Sequence, residues 1–334
     1  FPSIINEHRR FILKAPTGAG KTVLASEIVE RFYKGKKIIV LCHRLVLLEQ
    51  LEKALGEKHT VRKLAVSDTG PAFEDYDILL STSMRAKQVL RDAVVKADLI
   101  IVDEAHRVSP NGRGYKRILD DFVEHGKAEA QFIGLTASPE RRTGDQRDQL
   151  NLAFDAIIDC ASIEDLIREN ILVQPEYRPH FVHDLDLDAI DVSSGDFPVA
   201  KLSSTIIKSS MIDYAIWSYC EERLKLSKKP VSAWFCADIS VAEATLQNIR
   251  KYNIETAIVT AATPIKERMR LLEKHESGEI EAIVSVGVLA EGWDNPHCNI
   301  IVHLRPTLSK VLWGQSVGRG LRSAPGKGKC VVID

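Results

Sequence analysis

The chain has 334 residues, of which 45% are hydrophobic and 27% charged, and its 45 basic and 46 acidic side chains leave a formal net charge of −1. This composition excludes a disordered, collagen-like or disulfide-scaffold protein, and no apolar run approaches the ~20 residues that cross a bilayer. The length predicts two domains, and six scattered cysteines without a CxxC pair favour a reduced, cytoplasmic setting over a zinc site or a disulfide framework. A net charge this close to zero would by itself argue against a nucleic-acid partner.

Residues 1–160 alternate short apolar runs with longer amphipathic stretches. The apolar runs predict strands at 10–15, 37–42, 77–82, 98–102 and 131–136, and helices are predicted between them, for example at 22–33 and 46–55. Continuous apolar runs are typical of strands that a parallel sheet buries on both faces. The block is therefore predicted to be an α/β domain built from βαβ units.

Residues 161–205 are strongly acidic, with nine acidic against three basic residues, whereas the blocks before and after them carry net charges of +2 and +3. We interpret this stretch as a connector. Asp184, Asp186 and Asp188 recur at a spacing of two. That spacing predicts one face of a solvated edge strand, whose charges discourage pairing with another strand or repel a nucleic-acid backbone.

Residues 206–334 repeat the pattern of the first block. Strands are predicted at 231–236, 256–260, 282–286, 299–304 and 330–333, with helices at 241–252 and 266–275. The sequence thus predicts two α/β domains, at 1–160 and 206–334, joined by the acidic connector.

A glycine-rich segment at 15–22 follows the first predicted strand and opens the first predicted helix. This is the context of a P-loop, with Ala15 in place of the first glycine. Its backbone N–H groups can curl around a phosphate, and the helix N-terminus directs a positive dipole at the same anion. Lys21 is expected to reach the β- and γ-phosphates of ATP, and Thr22 to ligate Mg²⁺. The other predicted ATP-binding residues of the loop are Thr17, Gly18, Ala19 and Gly20.

A second nucleotide-site signal lies at 99–106, where an apolar strand ends in Asp103 and Glu104. Ligands bind beyond the carboxyl ends of parallel strands, so both carboxylates are expected near the P-loop. Asp103 suits the Walker B role of holding Mg²⁺, and Glu104 is suited to orient and deprotonate the attacking water.

These motifs, together with residues 136–138, resemble those of superfamily 2 DEAD/DEAH-type helicases and translocases. Further segments are similar to motif IV (235–237), the element after motif IV (260–268), motif V (286–296) and motif VI (315–322) of that family. Residues 304–307 and 318–327 are similar to the RadD-like branch of bacterial and phage helicases, near XPB-type and UvsW-type DNA motors. The resemblance implies two tandem RecA-like domains, each a mostly parallel sheet flanked by helices, with ATP in the interdomain cleft. It also implies the cytoplasm of a bacterial or phage-infected cell.

The resemblance assigns roles to the second domain. Arg319 and Arg322 match the positions that neutralise charge on the departing γ-phosphoryl group, and their spacing of three is one helical turn. Gln315 would contact the nucleotide or the attacking water. Gly292 and Asp294 would lie at the ribose and the cleft edge.

The resemblance also implies a coupling network, in which His106, Thr136 and Ser138 link the γ-phosphate site to the nucleic-acid surface. Two departures stand out. Ser316 occupies a position at which many relatives have Arg, and none of the residues before Ala15 is the Gln with which relatives read adenine. Nucleotide selectivity is therefore left open.

Nucleic-acid contacts are assigned by the same resemblance, and they use groups that suit phosphates and read no sequence. The assigned residues are His43, Arg44, Ser81, Thr82, Thr263 and Ser285. For each hydroxyl, strand-end capping or turn formation is the alternative interpretation.

The predicted function is that of a DNA helicase or translocase that couples hydrolysis of Mg-ATP to movement along single-stranded, forked or branched DNA. RNA is the alternative partner. A clamp or translocase without strand separation, as the motor of a repair or restriction assembly, is the alternative function. No membrane partner is expected, and protein partners are left open. The net charge does not oppose this interpretation, because it averages two mildly basic domains with an acidic connector.

Overall fold

The computed structural model describes residues 2–42, 45–64, 76–82, 85–86, 97–107, 130–137, 153–192, 195–289 and 293–334. The chain divides into two compact units, Phe1–Ser162 and Ile163–Asp334. In the ranges described, no helix is both long enough and apolar enough to cross a membrane.

The first unit is built on a parallel sheet with the strand order β3-β4-β2-β5-β6-β1-β7 among the described residues. Its strands are β1 (Arg10–Lys14), β2 (Ile38–Cys42), β3 (Val61–Lys63), β4 (Ile78–Thr82), β5 (Leu99–Asp103), β6 (Gln131–Thr136) and β7 (Ala156–Asp159). The five predicted strands are the inner five. The two edge strands, β3 and β7, were not predicted, because β3 carries two basic residues and the apolar run of β7 spans only three residues.

The described helices of this unit are α1 (Pro2–Glu7), α2 (Lys21–Phe32) and α3 (Leu45–Gly56), with a short 3₁₀ turn at Ala105–Arg107. Strand β1 is buried on both faces: Phe11 and Leu13 belong to one apolar cluster and Ile12 to another. Helix α2 covers the first of these clusters with Ala25, Ile28 and Val29. Since each fully buried aliphatic side chain contributes about 1.5–3 kcal/mol, this packing fixes the start of α2 against the end of β1.

The second unit has a parallel sheet with the strand order β10-β11-β9-β12-β13-β8 in the part of the chain that is described. Its strands are β8 (Gln174–Arg178), β9 (Ser232–Cys236), β10 (Thr256–Val259), β11 (Ala282–Ser285), β12 (Ile300–Leu304) and β13 (Lys329–Ile333). Its described helices are α4 (Ile163–Arg168), α5 (Val199–Lys208), α6 (Met211–Leu224), α7 (Ile239–Ile249), α8 (Ile265–Glu276) and α9 (Lys310–Gly320). Trp234 of β9 lies in its core, with the ring of Tyr219 5.1 Å away and edge-on.

The acidic block is part of the second unit. Strand β8 lies within it and pairs with β13 at the edge of the sheet. The expectation of an edge strand through the three alternating aspartates was wrong, because residues 181–190 contain turns at 183–184 and 188–189 and no strand. Asp184 accepts hydrogen bonds from the backbone N–H and the hydroxyl of Ser210, at 2.9 and 2.7 Å. Asp186 accepts one from the N–H of Ala189. Asp186 thus stabilises a local turn, whereas Asp184 fixes the residue that precedes α6.

Candidate functional site

The P-loop begins where β1 ends and closes into the first turn of α2. Gly18 and Gly20 have φ angles of +87° and +78°, in the left-handed region that favours glycine. Gly20 is also the N-cap of α2, and its carbonyl accepts a hydrogen bond from Leu24 at 2.9 Å. A Cβ on Gly20 would meet only Val23, at 3.7 Å, so backbone conformation rather than crowding requires glycine there.

The two nucleotide motifs end at the same level of the sheet. Strand β6 lies between β5 and β1, with Asp103 opposite Leu135 and Lys14 opposite Thr136. Neighbouring strands are about 4.8 Å apart, so the ends of β5 and β1 are separated by roughly 10 Å. The sequence predicts the acidic pair near the P-loop. The strand register places both at the carboxyl ends of strands in the same sheet.

Thr136 contacts both motifs and is fully buried. Its carbonyl accepts a hydrogen bond from the N–H of Ala15, the first P-loop residue, at 2.9 Å. Its hydroxyl lies 2.9 Å from Nδ1 of His106. One residue therefore ties the start of the P-loop to the 3₁₀ turn that follows Asp103.

Glu104 has an unusual backbone conformation for a residue with a side chain, with a φ of +50°. Only 8% of the residue is exposed, and its Oε2 lies 3.2 Å from Nδ1 of His106. Left-handed backbone at a non-glycine residue costs roughly 1–3 kcal/mol and is concentrated at functional sites. The strain and the burial both point to a constrained carboxylate.

Gly134 of β6 allows the turn after Glu104 to approach the sheet. A Cβ at this position would lie 2.7 Å from Cβ of Ala105 and 3.1 Å from side-chain carbons of Ile12 and Phe154. Ala105 is completely buried at this contact. The close approach holds His106 where it reaches Thr136.

The residues present fit Mg-ATP. Two left-handed glycines and a helix N-terminus supply the backbone N–H groups that polyphosphates require. Thr22 and Asp103, both half-buried, supply the hydroxyl and carboxylate oxygens that Mg²⁺ prefers. Lys21 is the first residue of α2, next to the same loop.

In the second unit, two arginines converge on one carbonyl. Nη1 of Arg319 donates to the carbonyl of Trp293 at 2.9 Å, and Nη1 of Arg322 donates to the same oxygen at 3.4 Å. Arg322 also forms an ion pair with Asp294. The expectation of one helical turn between the arginines was wrong, because α9 ends at Gly320 and Arg322 follows it, in a bridge to Leu172.

Gln315 and Ser316 lie in the buried part of α9. The Ser316 hydroxyl is 3.0 Å from Nε2 of His303, whose ring stacks on Phe235 with 5.6 Å between centroids. Burial lowers the pKa of His303 to about 4. The serine that departs from the family pattern thus contacts a neutral histidine and joins motif VI to motif IV.

The four described hydroxyls that were assigned to nucleic acid all take part in local hydrogen bonds. Ser81 donates to the carbonyl of Thr82, and Thr82 accepts from the N–H of Arg85. Thr263 accepts from the N–H of Thr260, and buried Ser285 from that of Leu289. Turn formation accounts for these bonds. The other assigned positions, His43, Arg44, Ser138 and Gly292, lie outside the described residues.

Sequence reasoning missed the groups that anchor motif V. Buried Asn295 donates to Nδ1 of His275 at 3.3 Å, and Nε2 of His275 donates to the carbonyl of Ser232 on β9 at 3.0 Å. The ring of Trp293 packs on His275, with 5.8 Å between centroids. His275 is the one buried residue of a helix rich in charged side chains, so its sequence context gave no sign of this contact.

Asp196 of the acidic block was also missed. It accepts hydrogen bonds from the hydroxyl of Thr307 and the N–H of Leu308, at 2.9 and 3.0 Å. These bonds fix the loop that leads into α9, which Ser309 caps. The acidic block therefore positions the helix that carries motif VI.

The P-loop, the acidic strand end and two parallel α/β units define a P-loop nucleotide-binding protein of tandem RecA-like fold. Two family models match the chain: the type III restriction enzyme, res subunit, over residues 2–141, and the helicase conserved C-terminal domain over residues 216–324. Both units of the chain are therefore similar to those of superfamily 2 helicases and restriction-enzyme motors.

Individual relatives agree with that assignment. The IRC3 protein of Saccharomyces cerevisiae, whose assigned name is that of an ATP-dependent helicase, is 28% identical over 99% of this chain and 49% of its own length. A fragment assigned as the HsdR subunit of a type I restriction enzyme from Vibrio vulnificus has a TM-score of 0.73 at 21% identity, over 99% of this chain and 61% of that one. The Hef helicase domain of Pyrococcus furiosus has a TM-score of 0.60 at 17% identity, over 100% of this chain and 94% of that one. The chain spans about half to two-thirds of the length of the curated relatives it matches. The RadD-like branch stays a prediction.

Proposed function

We propose that this protein is a nucleic-acid-stimulated ATPase that couples hydrolysis of Mg-ATP to movement along DNA. The observation that carries the proposal is the junction at Thr136, which joins the start of the P-loop to His106. A motor needs such a junction, because a change at the γ-phosphate must reach the surface that holds the nucleic acid.

The first unit would bind and activate the nucleotide. The N–H groups of residues 17–20 and the start of α2 hold the phosphates, and Lys21 places its ammonium at the β- and γ-phosphates. Thr22 and Asp103 would hold Mg²⁺, which when bound neutralises charge on the phosphate oxygens. Glu104 accepts a proton from the attacking water, since it is the carboxylate that the strained turn keeps next to His106.

The second unit would supply guanidinium groups for the same ATP. Arg322 acts as the finger that stabilises charge on the departing phosphoryl group, and such a group contributes roughly 10³–10⁵ in rate. Support comes from the carbonyl of Trp293 and the carboxylate of Asp294, which hold its guanidinium in one orientation. Arg319 is more buried and donates to the same carbonyl, so it also fixes the backbone of motif V. Gln315 is assigned to the nucleotide or the attacking water.

DNA is the proposed partner, with RNA as the alternative. Because the nucleic-acid contacts suit phosphates, binding is expected to weaken steeply with salt and to show little sequence preference. We place the activity in a reducing compartment such as the cytoplasm, since Cys42, Cys236, Cys298 and Cys330 are buried thiols.

A second candidate function is translocation along duplex DNA without strand separation. It is favoured by the match of the first unit to the type III restriction enzyme, res subunit, and by the similarity to an HsdR fragment. In that function the chain would be the motor part of a restriction assembly.

One set of measurements separates these functions. ATP turnover is compared with single-stranded, duplex and forked DNA and with RNA, beside a strand-displacement assay and a triplex-displacement assay. Strand displacement supports a helicase, and triplex displacement without it supports a duplex translocase. Stimulation by RNA alone would contradict the DNA proposal, and no stimulation by any nucleic acid would contradict a motor. Lys21→Ala is the inactive control.

A further inference from the structure

Lys327 lies in the loop between α9 and β13, and its ammonium is held by three carbonyl oxygens. Nζ donates to the carbonyls of Pro296, Gly320 and Arg322 at 2.8, 2.7 and 2.7 Å. An ammonium has three N–H donors, so these bonds match its full donor capacity. The loop itself is fixed by a bond from the N–H of Lys327 to the carbonyl of Ala324.

The three carbonyls belong to the segments that carry the groups proposed to act on the nucleotide. Pro296 ends the segment that includes Trp293 and Asp294. Gly320 is the last residue of α9, where carbonyl groups lack partners within the helix. The third carbonyl is that of Arg322 itself. A single cation therefore joins motif V, the end of the motif VI helix and the backbone of the proposed finger.

The ammonium has lost part of its hydration, so its charge depends on the three carbonyls. Burial lowers the pKa of the Lys327 ammonium. Burial also raises the pKa of the nearby Cys298 thiol to about 12 and that of the Cys330 thiol further, so both thiols stay neutral. Carbonyl dipoles, rather than a thiolate, then stabilise the charge.

The end of α9 has little room to move under this cation. A Cβ on Gly320 would lie 2.5 Å from Cγ1 of Ile301 and 2.6 Å from the sulfur of Cys330. The helix end is therefore seated directly on β12 and β13. Beyond it, the backbone of Arg322 is held on one side by Lys327 and its guanidinium on the other by Trp293 and Asp294.

We propose that Lys327 is a positioning residue for Arg322: by binding the carbonyl of Arg322 together with those of Pro296 and Gly320, it sets where the guanidinium is delivered. This inference rests on the proposed function, in which Arg322 acts on ATP. Lys327 itself does not touch the nucleotide. Its removal therefore affects the rate of hydrolysis and not the binding of ATP.

The test is a double-mutant cycle in the intact chain. Lys327→Met is measured alone and with Arg322→Ala, recording the DNA-stimulated kcat, the Kd for ATP and thermal unfolding. We expect Lys327→Met to lower kcat roughly 10- to 100-fold with a change in Kd of less than about 3-fold. In the Arg322→Ala background the same change should lower kcat by less than about 2-fold, because its target is gone. Lys229 and Lys327 both line one surface groove of this unit, so Lys229→Met is the matched control and should keep full activity.

The possible results distinguish the role of Lys327 from the proposed function of Arg322. An equal loss of kcat in both backgrounds, or no loss at all, would overturn the role of Lys327 while leaving that of Arg322 intact. Full activity of Arg322→Ala alone would contradict the proposed finger and with it this inference. If tryptophan fluorescence shows that the Met variant has unfolded, Lys327→Arg takes its place. Arginine keeps the charge but cannot direct three N–H groups from one atom, so we expect a roughly 3- to 10-fold loss with the same dependence on Arg322.

Discussion

Nδ1 of His106 lies 2.9 Å from the hydroxyl of Thr136, on a residue whose carbonyl accepts the first N–H of the P-loop. The contact joins the turn after Asp103 to the end of β6, the strand that pairs with β1 beside the P-loop. Because Thr136 is fully buried, water cannot replace the hydroxyl if it is removed.

Thr136→Val is predicted to uncouple the two motifs while preserving the fold. The valine is nearly isosteric, but it leaves the imidazole without the hydroxyl, and a lost buried partner costs about 1–3 kcal/mol. We expect DNA-stimulated turnover to fall roughly 10-fold, which corresponds to about 1.4 kcal/mol. The measurement is steady-state ATP hydrolysis with and without DNA. Thr136→Ser keeps the hydroxyl and should retain most activity, and equal rates for Val and Ser would contradict the coupling role.

Gly134→Ala is predicted to disturb the turn at Glu104, because Gly134 lies directly against Ala105 in that turn. Its new Cβ would overlap Ala105, and overpacking of this kind typically costs about 1–3 kcal/mol. Chemical denaturation should show the loss, and turnover should fall with it because His106 is displaced. The matched control is Gly56→Ala on α3, where a Cβ would meet nothing within 4 Å. If Gly134→Ala were as stable as Gly56→Ala, the close approach of Ala105 to Gly134 would not constrain the turn at Glu104.

Glu104→Gln is predicted to trap ATP. The amide keeps the size of the side chain but cannot accept the proton of the attacking water, so hydrolysis should fall by about 10²–10⁴ while ATP still binds. Rapid-quench hydrolysis and equilibrium nucleotide binding measure the two effects separately. Glu27→Gln, which alters only an exposed ion pair with Arg31, should behave like the parent protein. If Glu104→Gln hydrolysed ATP at nearly the parent rate, Glu104 would not be the group that accepts the proton.

Arg322→Ala is predicted to reduce hydrolysis roughly 10³-fold or more, because it removes the cation that is proposed to stabilise the departing phosphoryl group. Asp294→Asn should cause a smaller loss, since it weakens only the ion pair that orients Arg322. Single-turnover assays measure both variants. Arg270→Ala, at an exposed ion pair with Glu267, is the control for loss of an arginine. If Asp294→Asn reduced the rate of hydrolysis as much as Arg322→Ala does, Asp294 would be inferred to act directly on the nucleotide.

Acid is predicted to destabilise the second unit through its buried histidines. Burial lowers the pKa of His275 and that of His303 to about 4, below the usual value of about 6.5. Between about pH 4 and pH 6.5, the folded state therefore binds fewer protons than the unfolded state. Stability is complete above about pH 7 and falls as pH drops from 6.5 towards 4, by about 2 kcal/mol per histidine at pH 5.

The measurement is urea unfolding at pH 7.5 and pH 5, followed by tryptophan fluorescence. All four tryptophans, Trp217, Trp234, Trp293 and Trp313, lie in the second unit, so the signal reports on that unit. His275→Gln should shrink the difference between the two pH values by about 2 kcal/mol. An unchanged difference would mean that His275 is not buried in its neutral form.

The sequence predicted the strands that each sheet buries on both faces, because double burial requires an unbroken apolar run. It did not predict β3, β7 and β8, whose partly exposed edges carry mixed residues such as those of Gln174–Arg178. At the site, the P-loop and the acidic pair could be predicted from the strands that they follow, whereas the motif residues of the second unit were assigned by resemblance. Lys327 could not, since its partners are backbone carbonyls and no side-chain pattern marks them. The end of α9 at Gly320 was not predicted either, since no local sequence pattern marks the close packing of Gly320 on Ile301 and Cys330.

Strand β1 lies between β6 and β7 in the first sheet, although about 120 residues separate β1 from β6 along the chain. During synthesis, β1 and the P-loop leave the ribosome long before either neighbour exists. The loop acquires its anchor on Thr136 only after residue 136 has emerged. In the second sheet, β8 must likewise wait for β13, which is made last of the strands described. We therefore expect each unit to fold late in its own translation, and ATP to bind the nascent chain only once the first unit is complete.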